Sequence, residues 1–203
     1  MKILNSIFRI LKDYKFYIFI ILYFEVYFYL KNYKGFKINY SSNNRMADNI
    51  PCPFFFLYKI KKKLNNYKFK SFIDLGCGSG RILCFFNKNF KLNKILGIEY
   101  YSAQYNYCKM LFKSNKNISI KKLDFLKIDF KRNNYDIIFL SAPFNQKKDF
   151  KKFMKKLSGI KKLRKKIIII VNYDIKLIKT VKNIKLIDEF YLSKEKGYSI
   201  CSF

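Results

Sequence analysis

The stretch Phe72-Ile-Asp-Leu-Gly-Cys-Gly-Ser-Gly-Arg81 decides the fold of this chain. A β-prone run leads through Asp74 into a loop with glycine at every second position, and the residues after the loop favour a helix. Glycine lets the backbone turn tightly and approach a ligand closely, and a helix N-terminus carries a partial positive charge. The stretch therefore predicts a strand, a ligand-binding loop and a helix within an α/β fold.

The spacing of the glycines narrows the class of ligand. A dinucleotide-binding loop has the pattern GxGxxG, whereas this loop has GxGxG, with Asp74 just before the glycines. A carboxylate at that position would repel a pyrophosphate and suits a cationic or hydroxyl-bearing ligand. The alternative is that Asp74 only caps the turn and that the glycines only connect strand to helix.

Short β-prone runs alternate with helical stretches on both sides of this loop. The predicted strands are 71–75, 94–99, 118–122, 135–140 and 166–172, and the predicted helices after them are 81–89, 103–113, 147–157 and 174–182. Such alternation is typical of βαβ units around a parallel sheet. The tail predicts a hairpin, with strands at 185–192 and 198–203 around a polar turn that contains Gly197, so the sheet should finish with an antiparallel strand.

The N-terminal part has a different composition. Residues 16–30 are apolar except for Glu25, and lysines flank them on both sides. Fifteen helical residues span about 22 Å, which is short of the roughly 30 Å hydrocarbon core of a bilayer. Two interpretations stay open: a helix or strand-rich segment packed on the domain, or a segment in contact with a membrane. No small-residue cleavage site follows, so we do not expect a cleavable signal peptide.

Residues 31–49 are polar and predict a linker, after which Pro51 and Pro53 introduce an amphipathic helix over 54–64. We therefore predict two parts. Residues 1–45 form a hydrophobic, aromatic helix with a linker, and residues 46–203 form the main domain.

The charge of the chain is strongly positive. Among 203 residues, Lys and Arg number 43 and Asp and Glu number 13, which gives a formal net charge of +30. Nearly all of the basic residues are lysines spread along the chain, whereas specific nucleic-acid readers rely on arginine forks and clustered aromatics. The charge therefore predicts non-specific, salt-dependent attraction to polyanions rather than sequence recognition.

The sequence contains five cysteines without a CxxC pair and no histidine. This composition excludes zinc fingers and every mechanism that needs an imidazole, and we expect no metal site. An odd number of cysteines in a lysine-rich chain indicates reduced thiols, hence a cytoplasmic protein. Cys77 in the glycine loop, together with Cys84 and Cys108, is expected to serve packing.

The segment Asp74-Leu-Gly-Cys-Gly-Ser-Gly80 resembles the first motif of class I S-adenosylmethionine-dependent methyltransferases, and the resemblance covers roughly residues 46–203. It implies a Rossmann-like three-layer sandwich with a seven-stranded, mostly parallel sheet. Strand 7 would run antiparallel beside strand 5, and here an N-terminal helical extension precedes the domain. It also implies S-adenosylmethionine as cofactor. Methyl transfer from a sulfonium needs mainly placement, so a chain without histidine is suited to it.

The resemblance also implies roles for particular residues. Glu99 would bind the ribose hydroxyls, Asp124 would bind the adenine amine, and the segment after the fourth strand would lie beside the transferred methyl group. Three acids at consecutive strand ends fit the edge where open α/β sheets bind ligands, although Glu99 alone could be a surface acid. The full set of predicted cofactor-binding residues is Asp74, Gly76, Cys77, Gly78, Gly80, Glu99, Tyr100, Asp124, Phe125 and Ser141.

The acceptor side is less constrained. Enzymes that methylate the amino groups of DNA bases or of protein glutamine carry Asn/Asp-Pro-Pro-Tyr/Phe after strand 4, whereas this chain has Ser141-Ala-Pro-Phe144. The candidates for acceptor contact are Ser141, Pro143 and Phe144, framed by residues 51–55, and no catalytic base is identifiable. Two roles stay open for Arg81. It binds a carboxylate, of which that of Asp74 is one candidate, or it is a solvated residue in the first turn of the helix.

The overall pattern is similar to small bacterial methyltransferases and, more distantly, to seven-strand lysine methyltransferases, a membrane-anchored mitochondrial group among them. A protein lysine or a small molecule is therefore the favoured acceptor. The alternatives are an inactive cofactor-binding scaffold and a lysine-rich nucleic-acid-binding module.

Overall fold

The computed structural model describes residues 17–33, 51–130, 134–142, 144, 146–160 and 166–202. Two helices precede the sheet, α1 (Tyr17–Leu30) and α2 (Phe54–Leu64). The alternating part then consists of β1 (Ser71–Leu75), α3 (Arg81–Asn89), β2 (Lys94–Glu99), α4 (Ser102–Leu111), β3 (Ile118–Lys122), β4 (Ile137–Ser141), α5 (Lys147–Ser158), β5 (Ile167–Val171) and α6 (Ile175–Lys179). The hairpin β6 (Lys185–Ser193) and β7 (Lys196–Ser202) ends the chain.

The strands form one seven-stranded sheet in the order β3-β2-β1-β4-β5-β7-β6. β1 pairs in parallel with β2 on one side and β4 on the other, and β5 continues the parallel run. β7 pairs antiparallel with β5 and with β6. The predicted α/β fold, the seven-stranded sheet and the antiparallel strand 7 beside strand 5 are confirmed. The strand order reverses at β1, which is where open sheets of this kind bind ligands.

Apolar residues cover both faces of the sheet, as the sandwich requires. Alternate residues of each central strand belong to different cores: Phe72 and Phe139 pack on the side of α2 and α3, while Ile73 and Ile138 pack on the side of α5. β5, the run Ile167–Val171, is buried at every position. The carboxyl ends of β1, β2, β4 and β5 are thereby held at one edge between two rigid layers.

The predicted bounds hold for the strands β1, β2 and β3 and for the helices α2 and α3, and they shift elsewhere. The fourth strand was expected at 135–140 but is Ile137–Ser141, because Tyr135 and Asp136 lead into it; Asp136 instead accepts bonds from the start of β1. The helix expected at 174–182 is shorter, since Asp174 caps it by accepting from the Lys176 amide at 2.9 Å and it ends at Lys179.

The N-terminal segment is a helix packed on the domain. Ile21 and Phe28 are buried in the same core as Phe72, so the strand-rich alternative is wrong. Within the described part of the chain, no helix combines the length and apolarity needed to cross a bilayer. Most of the predicted linker, residues 31–49, lies outside the described residues. The predicted boundary between residues 45 and 46 also lies outside them.

Candidate active site

The glycine loop connects β1 to α3 in a conformation that only glycine adopts easily. Gly76, Gly78 and Gly80 have φ of +86°, +51° and +83°, in the left-handed region. The amides of Gly76 and Cys77 both donate to the Ile98 carbonyl of β2 at 2.9 Å. The loop is therefore fixed to the neighbouring strand and presents its backbone at the edge of the sheet.

Gly80 and Gly76 differ in the space around the position that a Cβ would take. A Cβ on Gly80 would lie 2.6 Å from the Phe112 ring and 2.9 Å from the Cys108 sulfur, so Gly80 permits close packing of α3 against the α4 region. A Cβ on Gly76 would meet nothing within 4 Å. Gly76 therefore borders free space into which a ligand can approach the backbone.

Asp74 is the most unusual side chain at this edge. It is fully buried, and neither carboxylate oxygen has a hydrogen-bond partner among the described residues. Burial raises the pKa of this carboxyl well above its usual range, and the nearby charge of Glu99 raises it further. Asp74 does not cap the turn, and a buried unpaired carboxylate calls for a cationic or hydrogen-bond-donating ligand.

Glu99 ends β2 and is buried rather than a surface acid. One of its oxygens accepts from the Gly78 amide at 2.8 Å, and the other accepts from the amides of Tyr100 and Tyr101 at 2.7 and 2.8 Å. Glu99 therefore braces the glycine loop. Its carboxylate keeps lone-pair capacity for one further donor, so the role implied for it, ribose binding, stays a prediction.

The remaining predicted cofactor residues lie around the same edge. Asp124 follows β3 and accepts from the Leu126 amide at 2.9 Å, which caps a 3₁₀ turn. Phe125 is buried, whereas Tyr100 is half exposed. Cys77 is buried with its sulfur 3.9 Å from that of Cys108, in keeping with a packing role. Contact of these residues with an adenosine moiety stays a prediction.

The acceptor side contains two more buried polar atoms without partners among the described residues, Ser141 Oγ and Asn172 Oδ1. Ser141 ends β4 and pairs with Val171 of β5, so Asn172 comes one residue beyond that pair. Ala142 and Asn172 have φ of +42° and +52°, a conformation that costs about 1 kcal/mol or more in a residue with a side chain. Sequence reasoning missed Asn172, although its place directly after an apolar strand could have indicated it.

Phe144 packs against an aromatic cluster, with ring centroids 5.4 Å from Phe125 and 5.5 Å from Phe153. Pro143 lies outside the described residues. The segment before α2 lies beside the start of α3, where the Cys52 carbonyl accepts from Arg81 Nη1 at 3.2 Å. The expected framing of the acceptor by residues 51–55 stays a prediction.

Arg81, the first residue of α3, holds the carboxylate of Glu25 and not that of Asp74. Its Nη1 donates to both Glu25 oxygens, at 3.1 and 2.9 Å, and to the Cys52 carbonyl at 3.2 Å. Arg81 is buried, with only 8% of its surface exposed, so the alternative that it is solvated is wrong. Glu25 also accepts from the Phe54 amide at 2.9 Å, at the N-terminus of α2. The one charge within the apolar run thus ties α1 to the glycine-loop helix.

Reduced thiols are consistent with the structure, in which all five cysteines are free and buried. In the described ranges, no group of three or more His, Cys, Asp or Glu side chains is arranged to hold a metal ion. A cytoplasmic location stays a prediction.

The strand order, the glycine loop and the acids at the carboxyl ends of β1 and β2 define a class I, Rossmann-like methyltransferase architecture. The chain belongs to the methyltransferase-domain family, whose sequence profile, described as "Methyltransferase domain", matches residues 66–196. A search of curated proteins by sequence finds no significant match.

Solved structures share the fold at low sequence identity. An S-adenosylmethionine-dependent methyltransferase from Clostridium acetobutylicum is 13% identical, with 76% of this chain and 93% of that chain covered at a TM-score of 0.59. A proposed methylase from Haemophilus influenzae is 21% identical, with 71% and 96% covered at 0.58. A SAM-dependent methyltransferase from Aquifex aeolicus is 18% identical, with 70% and 87% covered at 0.53.

The residues present fit S-adenosylmethionine, the cofactor expected of this family. The unpartnered Asp74 carboxylate offers a negative charge for a molecule that carries a sulfonium and an ammonium group. The free space at Gly76 lets such a molecule approach the loop backbone. Asp74, Glu99 and Asp124 are the residues that would hold it.

Proposed function

We propose that this methyltransferase acts on an amine nitrogen, either a protein lysine or a small-molecule amine. The observation that carries the proposal is a pair of buried oxygens at the ends of β4 and β5, Ser141 Oγ and Asn172 Oδ1, which have no hydrogen-bond partner in the described part of the chain. The Asn172 carbonyl oxygen only accepts hydrogen bonds, and the Ser141 hydroxyl can accept them. A group that carries N–H bonds satisfies both, and an amine nitrogen is such a group.

The roles of the chain's own residues follow from their placement. S-adenosylmethionine, when bound, supplies a methyl group already activated on sulfur, so the protein's contribution is orientation and exclusion of water. Asp74 compensates positive charge on the cofactor side. Ser141 and Asn172 orient the nitrogen by its N–H bonds and leave its lone pair free to face the methyl group.

The aromatic surroundings favour the same class of acceptor. Phe144 is half buried between Phe125 and Phe153 and follows Ser141 closely in the chain. An aromatic face attracts a cationic or partly cationic nitrogen. An alkyl amine therefore has the oxygens of Ser141 and Asn172 as hydrogen-bond acceptors and the ring of Phe144 as an aromatic contact.

The test is transfer of a radiolabelled methyl group from S-adenosylmethionine, first to lysate fractions and then to lysine-containing peptides and free amines. We expect label on nitrogen. We also expect Asn172→Ala and Ser141→Ala each to lower kcat/KM for the amine at least about tenfold, because each removes one hydrogen bond to a nitrogen that gains positive charge as the methyl group is transferred. Asn172→Ala should bind S-adenosylhomocysteine as the wild type does. Ser158→Ala, a solvent-exposed hydroxyl at the end of α5, is the matched control and should be unaffected.

Other outcomes identify the alternatives. Cofactor binding by calorimetry without label in any fraction supports an inactive cofactor-binding scaffold. Absence of cofactor binding together with salt-resistant, sequence-selective binding of DNA or RNA supports a nucleic-acid-binding module. Label on oxygen or carbon, or identical kinetics of Asn172→Ala and wild type, contradicts the amine assignment.

A further inference from the structure

Helix α1 exposes an apolar face that the rest of the described chain does not cover. Eight of the thirteen exposed large hydrophobic residues of the described chain lie in this one helix. Six of them, which we call the outer face, are Phe19, Leu22, Tyr23, Val26, Tyr29 and Leu30, each 52% to 72% exposed. Most are spaced three or four residues apart, so they form one stripe along the helix.

The opposite side of α1 holds the outer face in a fixed orientation. Phe28 stacks on Phe54 of α2, with ring centroids 4.8 Å apart, and Phe24 lies 4.9 Å from Tyr58. Glu25 is bonded to Arg81 and to the Phe54 amide. The helix is therefore attached to the domain through its inner side and presents the outer face outward.

Four lysines lie around this helix, and we call them the lysine rim: Lys31, Lys59, Lys62 and Lys88. Lys31 follows its last residue, and the Nζ of Lys88 donates to the carbonyls of Lys31 and Asn32. Lys59 and Lys62 lie over the rings of Phe55 and Tyr58 on the adjacent helix. The nearby acids Asp188 and Glu189 are paired with Lys63 and Lys179, each at 3.1 Å. Residues 1–16 add four basic residues and one acid to the sequence just before the helix.

This charge distribution decides between two occupants of the outer face. A second copy of the chain would bring another lysine rim and another net charge of +30 against the first, and the two would repel. An anionic lipid surface attracts the same lysines, while apolar and tyrosine side chains settle at the boundary between headgroups and acyl chains.

We propose that α1 docks the protein onto an anionic membrane surface, with the outer face in the interface and the lysine rim at the lipid phosphates. The helix lies along the surface and does not cross it. Since Glu25 joins α1 to the first residue of the glycine-loop helix, the docked protein holds its candidate active site close to the membrane.

The test is flotation of the full chain with vesicles of phosphatidylcholine alone or with about a third phosphatidylserine. We expect binding to the anionic vesicles that weakens on raising the salt concentration. The triple variant Phe19→Ser, Val26→Ser, Leu30→Ser should bind at least about tenfold more weakly. The control variant Tyr67→Ser, Met110→Ser, Leu126→Ser changes three exposed apolar residues elsewhere and should bind as the wild type does.

A second measurement identifies what covers the face. Because the native cysteines are buried, the thiol of Val26→Cys is the accessible one for a water-soluble maleimide. We expect fast labelling in buffer and protection by anionic vesicles. Slow labelling in buffer, a dimer in light scattering that the triple variant disperses, or equal vesicle binding by the triple and control variants each overturns the proposal.

Discussion

The carboxylate of Asp74 is fully buried, and neither of its oxygens has a hydrogen-bond donor among the described residues. Burial raises its pKa above the unfolded value, with Glu99 as a second cause, so its contribution to stability is most favourable at low pH and is lost as the pH rises through the folded pKa. We expect Asp74→Asn to raise the free energy of unfolding of the cofactor-free protein by about 1 kcal/mol or more at pH 7. The gain should shrink towards about pH 4. Urea denaturation at several pH values measures it, and a loss of stability at pH 7 would contradict it.

Asp74 also links cofactor binding to the release of a proton. A cationic ligand favours the ionised carboxylate and lowers its pKa, so binding should release a proton and affinity should rise with pH over the range in which Asp74 titrates. Titration calorimetry of S-adenosylmethionine in buffers of different ionisation enthalpy measures the release. Asp74→Asn should bind the cofactor more weakly and release no proton from this site. Equal proton release by the variant would show that another group titrates.

Gly76 and Gly80 separate ligand binding from packing. Both have positive φ, but only at Gly80 would a Cβ collide with side chains, those of Phe112 and Cys108. We expect Gly80→Ala to lower the free energy of unfolding by about 2–4 kcal/mol. Gly76→Ala should lower it by about 1 kcal/mol yet weaken cofactor binding more. Thermal unfolding and calorimetry on the two variants provide the comparison, and similar effects in both would contradict it.

At the scale of the element, most helices and strands could be predicted because their signals are local. The apolar runs of β1 and β2, the proline before α2 and the glycines before α3 each act within a few residues. The partner of Glu25 could not be predicted, because Arg81 lies 56 positions away and the contact depends on how α1 packs. Asn172 directly follows an apolar strand, which hinted at the site, but its pairing with Ser141 depends on β4 and β5 being adjacent, and its oxygen has no partner among the described residues.

The attachment of α1 through Glu25 leads to a prediction for a pair of residues. Side-chain exposure is 9% for Arg81 and 25% for Glu25, so the ion pair is partly screened. We expect Glu25→Gln, which retains an acceptor for the Phe54 amide, to lower the free energy of unfolding by about 1–3 kcal/mol. Combined with Arg81→Gln, the loss should be less than additive by roughly 1 kcal/mol. The exposed pair Lys179 and Glu189 is the control, and Glu189→Gln should change stability by less than about 0.5 kcal/mol. Additive losses would show that the pair is not coupled.

At the scale of the whole molecule, the sheet gathers scarce acids at one edge while lysines cover much of the surface. Only 13 residues of the chain are acidic. Asp74 is the last residue but one of β1, Glu99 ends β2, and Asp124 lies two residues beyond the end of β3. The site thus offers negative charge to a cationic cofactor inside a molecule that attracts anions outside. These are separate properties: the carboxylates at the edge are buried or locally bonded, whereas the net charge acts at long range through solvent.

Because the net charge acts independently of the acids at the sheet edge, the salt dependence of polyanion binding shows what the lysines alone recognise. A net charge of +30 made up mostly of dispersed lysines should bind duplex DNA through phosphates alone, because lysine is a point charge without the arginine fork that reads base edges. Two duplexes of equal length and unrelated sequence should bind equally in fluorescence anisotropy. The apparent affinity should fall roughly a thousandfold or more between about 50 and 200 mM salt, as release of counterions from several phosphates requires. Asp74→Asn should leave this binding unchanged while it weakens cofactor binding, since the residue is buried. Binding that persists at the higher salt and distinguishes the two sequences would instead assign the lysines a specific nucleic-acid partner.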